Sequence, residues 1–222
     1  IALLNTFSIA ISAKVQFAMV AIFLVVGWGT PAWFVSTEQW TMTNLSPFFA
    51  TGMGGFFIAI GILVTMVLGF DCIPQMAEEA NFPRHKMVKT MLLAVIISEA
   101  MYAFICFGNA GMMPTAWISE QLTVSPEIAR PLAGNGVALV MNLAGFVASL
   151  TCLNGFMIAG SRVMFAMSRS RILPPFLAHV NKYNIPDRAI WFTFLICALL
   201  IAIAGEGWLE TLFISSAFMG AL

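Results

Sequence analysis

The sequence is poor in charge. Asp, Glu, Lys and Arg make up only 9% of its 222 residues, while 60% are hydrophobic and the mean hydropathy is +0.94. A soluble domain clothes its surface with about a quarter of its residues charged, so this composition excludes a water-soluble globular protein and leaves an integral membrane protein. Ten basic residues balance ten acidic ones without forming a basic stripe, which excludes nucleic acid as a partner. Histidine is scarce: His85 and His179 lie in basic loops without neighbouring ligand types, so no metal is expected. Cys72, Cys106, Cys152 and Cys197 sit singly in apolar runs without CxxC spacing and read as small buried hydrophobes. No Ser/His/Asp, Cys/His or metal-ligand set recurs at a common depth, so neither an enzyme nor a cofactor is expected. The chain opens at Ile1 inside an apolar run, with no Met and no signal-peptide n-region, and stops at Leu222 inside another. It is expected to be a piece of a longer protein.

What the sequence has in abundance is apolar runs of spanning length. About 20 residues cross about 30 Å of hydrocarbon at about 1.5 Å per residue. On that measure residues 1–222 read as a single all-α, polytopic membrane segment. Its helices are expected over 1–10 (the tail of an upstream helix), 15–33, 53–76 (broken), 88–107, 134–168, 189–205 and 208–222 (truncated). Asn5, Ser8, Ser12 and Lys14 mark a polar exit from the first, and Trp28, Pro31 and Trp33 suit a membrane interface. Gly108 to Pro131 reads as a long loop in which Ser125, before Pro126 and Glu127, is placed to cap a helix. The run over 134–168 exceeds one crossing and should tilt or project, and Ala144, Gly145, Ala148 and Ser149 have the spacing of close helix contact.

Orientation follows from the basic residues. If Lys14 is cytoplasmic, alternate loops put Arg84, Lys86, Lys89, Arg162, Arg169, Arg171, Lys182 and Arg188 on the same side and leave only Arg130 outside. That one-sidedness makes the loops at 77–90 and 166–188 cytoplasmic in a multi-pass protein of the cell membrane.

One stretch departs from a simple span. After the apolar run Phe56 to Leu68 come Gly69, Phe70, Asp71 and Pro74. Pro74 has no amide hydrogen, so the Phe70 carbonyl four residues back loses its helical partner, while Gly69 lets the backbone leave helical angles. Asp71 would cost roughly 2.5–3.5 kcal/mol at a bilayer centre unless partnered. Broken backbone at membrane depth is tolerated only where it lines a protein cavity. Orphan carbonyls at a half-helix C-terminus form a weak negative pole suited to an ammonium group.

The run GFDCIPQMAEEANFPRHKM resembles the sixth helix of the amino acid, polyamine and organocation permeases. LNTFSIAISAKVQ is similar to the junction between that family's fourth and fifth helices, and SRVMFAMSRSRILPPFLAHVNKYNIPDRAI to the inner end of its eighth helix and the loop into the ninth. The resemblance covers essentially the whole chain. It implies a partial LeuT-like inverted-repeat fold, with a discontinuous helix near residues 68–74 and helices five to ten of the family. It also implies an amino acid substrate whose amino group meets the break carbonyls, pointing to Thr65, Met66, Leu68, Gly69 and Phe70 beside Asp71, with Phe70 also an aromatic gate. The glycine-rich first helix that receives the carboxylate is not in the sequence. Two positions depart from the pattern: Phe23 stands where many members carry a lysine proposed for proton coupling, and Arg169-Ser170-Arg171 replaces R-D-G before Leu173-Pro174.

Several polar residues have two readings. Asp71 either caps the second half-helix through the Ile73 amide or meets substrate. Glu99, mid-span, is either a hydrogen-bonded structural acid or a proton carrier. Glu78 and Glu79 either form an interfacial ion cluster or latch a gate against Arg162 or Arg169. Ser149 and Thr151 either bond to backbone or offer oxygens to a coupling ion, H+ or Na+ being undecided. The reading that unites these features is a secondary-active amino acid permease working by alternating access within the lipid bilayer. Its alternatives are a polyamine or ethanolamine permease of the same fold and a non-transporting receptor or partner subunit.

Overall fold

A helix that is apolar on every side has no face to turn toward water, and this chain is built largely from such helices. The computed structural model describes residues 1–7, 9–47, 49, 52–67, 69–70, 72–75 and 83–203. Among them are eight α-helices, three short 3-10 turns and no strand. The helices are α1 (Ala2–Phe7), α2 (Ile9–Val35), α3 (Gly52–Val67), α4 (Cys72–Gln75), α5 (Met87–Met112), α6 (Thr115–Ile118), α7 (Val124–Arg169) and α8 (Asp187–Ile203). Among the described residues three stretches are long and apolar enough to cross a membrane: Ile11–Val35, Met87–Met112 and Val124–Arg169. Phe17, Val25, Ile58, Leu92, Ile96 and Phe146 are exposed on these and neighbouring helices, an apolar surface suited to lipid or to further apolar helices.

Some expected boundaries move. Ser12 and Lys14 belong to α2, which begins at Ile9. The loop expected from Gly108 shrinks because α5 runs on to Met112 and α7 already starts at Val124. Gly134, at φ 83° and ψ 173°, interrupts α7 about a quarter of the way along, a conformation that glycine alone reaches cheaply. Ser125 lies inside the first turn of α7, and its hydroxyl donates to Asn109 Oδ1 at 3.0 Å, so it does not serve as the cap. Nor are the cysteines uniformly buried: Cys72 is, but Cys106, Cys152 and Cys197 are exposed on apolar helices.

The described chain packs as two units. The first comprises Ile1–Phe17, Ile62–Leu93 and Leu150–Leu222. Its core joins Ala2, Met157, Ile185 and Ile190. Asn181 ties the loop before α8 to the end of α1, where Nδ2 donates to the Thr6 carbonyl at 2.8 Å while Oδ1 accepts from the Tyr183 and Ile185 amides. That bond satisfies a helix-end carbonyl which has no intrahelical donor. At the end of α7 the Arg171 amide bonds to the Ser168 carbonyl and the Ile172 amide to the Met167 carbonyl, with Arg171 at φ 60°. This is a Schellman cap with arginine where glycine is usual.

The second unit comprises Ala18–Gly61 and Ala94–Ser149. In it α2 and α5 meet through small residues. A Cβ on Gly108 would lie 2.7 Å from Pro31 Cβ, and one on Gly27 would lie 2.6 Å from Met101 Sδ. Such contact is the packing available to helices in lipid. Trp40 lies flat on Gly111, and the Gly111 carbonyl accepts from the Thr41 amide and from Asn44 Nδ2, both at 2.9 Å. Phe34, Met112, Ile128 and Ala129 form the unit's core.

Candidate functional site

The interrupted helix is the feature that positions a site. α3 ends at Val67, Gly69 has φ 113°, and α4 restarts at Cys72. L-residues rarely adopt that angle, so glycine at 69 lets the chain turn there. The ladder across the break is not of the α type: the Cys72 amide bonds to the Gly69 carbonyl at 3.1 Å and the Ile73 amide to the Phe70 carbonyl at 3.2 Å. Phe70 therefore does not lose all donors, as the sequence suggested, because a tighter i+3 bond replaces the one Pro74 cannot make. A carbonyl has two lone pairs, so the Phe70 oxygen can accept a further donor beside the Ile73 amide. Pro74 itself falls in the first turn of α4, where no amide is needed.

Thr65 and Met66 are in the last turn of α3, whose carbonyls have no donor within the helix. Leu68, Asp71, Glu78 and Glu79 lie outside the described residues. Phe70 is 39% exposed. On the α7 side, Phe156 Cζ lies 3.8 Å from where a Cβ on Gly69 would be, so an aromatic ring borders the turn.

Two residues before Phe156 stands Asn154, fully buried and at the centre of a network that sequence reasoning missed. Asn5 Nδ2 donates to Asn154 Oδ1 at 2.8 Å, and Asn154 Nδ2 donates to Gln16 Oε1 at 2.8 Å. Ser12 Oγ donates to Asn5 Oδ1 at 2.6 Å, and Gln16 Nε2 to the Thr151 carbonyl at 3.2 Å. Asn5 and Ser12, read as a polar exit, are instead buried and link α1 and α2 to α7. A signal was present: Asn5, Ser12 and Gln16 recur at intervals of seven and four, one stripe of a helix, and Asn154 is an amide inside an apolar run.

The remaining candidates separate. Ser149 Oγ donates to the Gly145 carbonyl at 3.1 Å, the backbone bond of its plainer reading. Thr151 is two residues on, about 200° around the helix, so the two hydroxyls do not converge on one ion. Beside α4 and the C-terminal end of α7 a cavity of about 880 Å³ is lined by Gln75, Arg162, Arg169, Ser170 and Asn184. Arg162 Nη1 donates to the Ile158 carbonyl at 3.0 Å, and the Arg169 guanidinium lies 5.8 Å from the Phe165 ring centroid. In the second unit a cavity of about 410 Å³ is lined by Phe23, Thr30, Ile105, Asn142 and Ser149. Glu99, at the middle of α5, has Oε1 buried with no hydrogen-bond partner among the described residues. No group of three or more His, Cys, Asp or Glu that could hold a metal ion occurs among the described residues.

The sequence profile of the family described as "Amino acid permease" matches residues 1–222. The methylthioribose transporter of Bacillus subtilis is 27% identical over 184 residues, covering 82% of this chain and 38% of that protein. The branched-chain amino acid permease BcaP of the same organism is 27% identical over 158 residues, or 71% of this chain and 34% of the relative. A mitochondrial cationic amino acid transporter of Arabidopsis thaliana is 23% identical over 159 residues, 70% and 25% of the two chains. The chain thus spans between a quarter and two fifths of the length of these relatives. With a profile match from its first residue to its last and three helices fit to cross a bilayer, the chain is an integral membrane protein of the amino acid permease family, within the amino acid, polyamine and organocation superfamily.

Proposed function

We propose that the chain supplies one side of the substrate site of a secondary-active permease that moves amino acids by alternating access. One observation carries the reading: an apolar helix that stops at Val67, turns through Gly69 and restarts at Cys72. The C-terminal end of α3 bears the partial negative charge of a helix terminus, which attracts an ammonium group. The substrate's amino group rests on the carbonyls of Thr65, Met66, Leu68, Gly69 and Phe70, Asp71 adds negative charge beside them, and Phe70 closes over the cargo. Two relatives bearing amino acid names support this choice of substrate class.

In this reading the membrane is the cell membrane and the loops at 77–90 and 166–188 are cytoplasmic, because they hold most of the basic residues. Glu78 and Glu79 pair with Arg162 or Arg169 when the path on that side is shut. Counterflow into proteoliposomes tests the reading, using the protein made from its complete gene and a panel of amino acids, polyamines, ethanolamine and methylthioribose. Exchange of amino acids is expected. Exchange of the amines or of methylthioribose without amino acid exchange would change the cargo, and no exchange of any solute would leave a receptor or partner subunit.

A further inference from the structure

Glu99 is the thirteenth of the 26 residues of α5, so about 18 Å of helix lies on either side of it and its carboxyl sits near mid-membrane. Its Oε1 is buried and accepts no hydrogen bond, and no ion pair joins it among the described residues. The other charged residues of its unit are Glu38, Glu120, Glu127 and Arg130, all in loops or in the first two turns of α7, where Arg130 pairs with Glu127 at 2.9 Å. From Ala18 to Val35 α2 has no titratable side chain, and none occurs in α3 from Gly52 to Gly61. On its own helix Tyr102 and Cys106 follow at three and seven residues, on the same face. The basic residue of the unit, Arg130, is thus taken up by Glu127, and among the described residues of the unit a carboxylate at 99 meets no cation, so a proton is the smallest partner that would balance it.

We infer that Glu99 is the proton-carrying group of the transport cycle, coupling substrate movement to a proton gradient. The inference rests on the transport reading above. The step is a reversible protonation: the carboxylate takes one proton from the more acidic aqueous phase, crosses the cycle as the neutral acid, and releases that proton to the other phase.

The test uses the complete gene product in proteoliposomes. One proton per substrate and one unit of pH difference correspond to about tenfold accumulation. Wild type should accumulate amino acid by about that factor when the outside is the more acidic, and Glu99→Gln should lose the accumulation while keeping counterflow, which needs no net proton movement. Glu99→Asp, which restores an ionisable group, should recover part of the accumulation. A hydrophobic carbodiimide, adding to the protonated carboxyl as an acylurea, should label Glu99 of wild type and abolish accumulation, a readout independent of whether the variants fold. Undiminished accumulation by Glu99→Gln, accumulation surviving full labelling, or a wild type that shows counterflow but no accumulation under a pH gradient would each overturn the inference. Absence of counterflow in wild type would remove the transport reading itself.

Discussion

Replacing Asn154 with leucine tests whether the buried amide network holds α7 to α1 and α2. The substitution roughly conserves volume but breaks the two 2.8 Å bonds, stranding Asn5 Nδ2 and Gln16 Oε1 in a site where Asn154 is 0% exposed. A buried polar group left without a partner costs about 1–3 kcal/mol, so two cost about 2–6. Hydrogen bonds between membrane helices average only about 0.6 kcal/mol in measured cycles, and leucine adds apolar contact, which brings the expectation to about 2–4 kcal/mol. At about 2–4 °C per kcal/mol for a chain of this size, the melting temperature in detergent should fall by about 4–16 °C. The sharper assay is the cycle of Asn5→Ala, Asn154→Ala and the double variant. A coupling of about 0.6–1.7 kcal/mol is expected. Unchanged melting of Asn154→Leu, or strictly additive single variants, would refute the argument.

Two further perturbations follow from backbone and packing. Arg171→Gly removes a side chain from a left-handed position at φ 60°, where an L-residue loses about 1–2 kcal/mol, so thermal unfolding should move up by about 2–8 °C; a lower midpoint would show that the arginine side chain outweighs the strain. Gly108→Ala puts a Cβ 2.7 Å from Pro31 Cβ and 2.9 Å from Pro31 Cα, which forces α2 and α5 apart. Its cost should be about 1–3 kcal/mol by the same melting assay, and a variant as stable as wild type would mean the helices do not meet there.

The fold was largely legible because membrane helices announce themselves by length and apolarity, and because Gly69 and Pro74 are residues whose backbone chemistry breaks a helix whatever surrounds them. What escaped depended on partners distant in sequence. Asn5 and Asn154 are 149 residues apart, so the stripe of Asn5, Ser12 and Gln16 marks a shared helix face without naming the amide that it meets. Ser125 looked like a cap until Asn109 took its hydroxyl. The Phe70 oxygen looked orphaned because the i+4 rule was applied where the chain had already tightened to i+3. The cysteines misled for a different reason: in a membrane protein an apolar run need not be an interior one, and three of the four face outward.

The central claim is that the oxygens around Gly69 and Phe70 receive a positively charged amino group. Its most direct measurement is the affinity of the intact protein for an amino acid against the same molecule with the amino group replaced by hydrogen. Loss of one or more hydrogen bonds from a charged donor, at about 1.5–3 kcal/mol, predicts binding weaker by about tenfold to a hundredfold for the desamino compound. Equal affinity for the two would contradict the account.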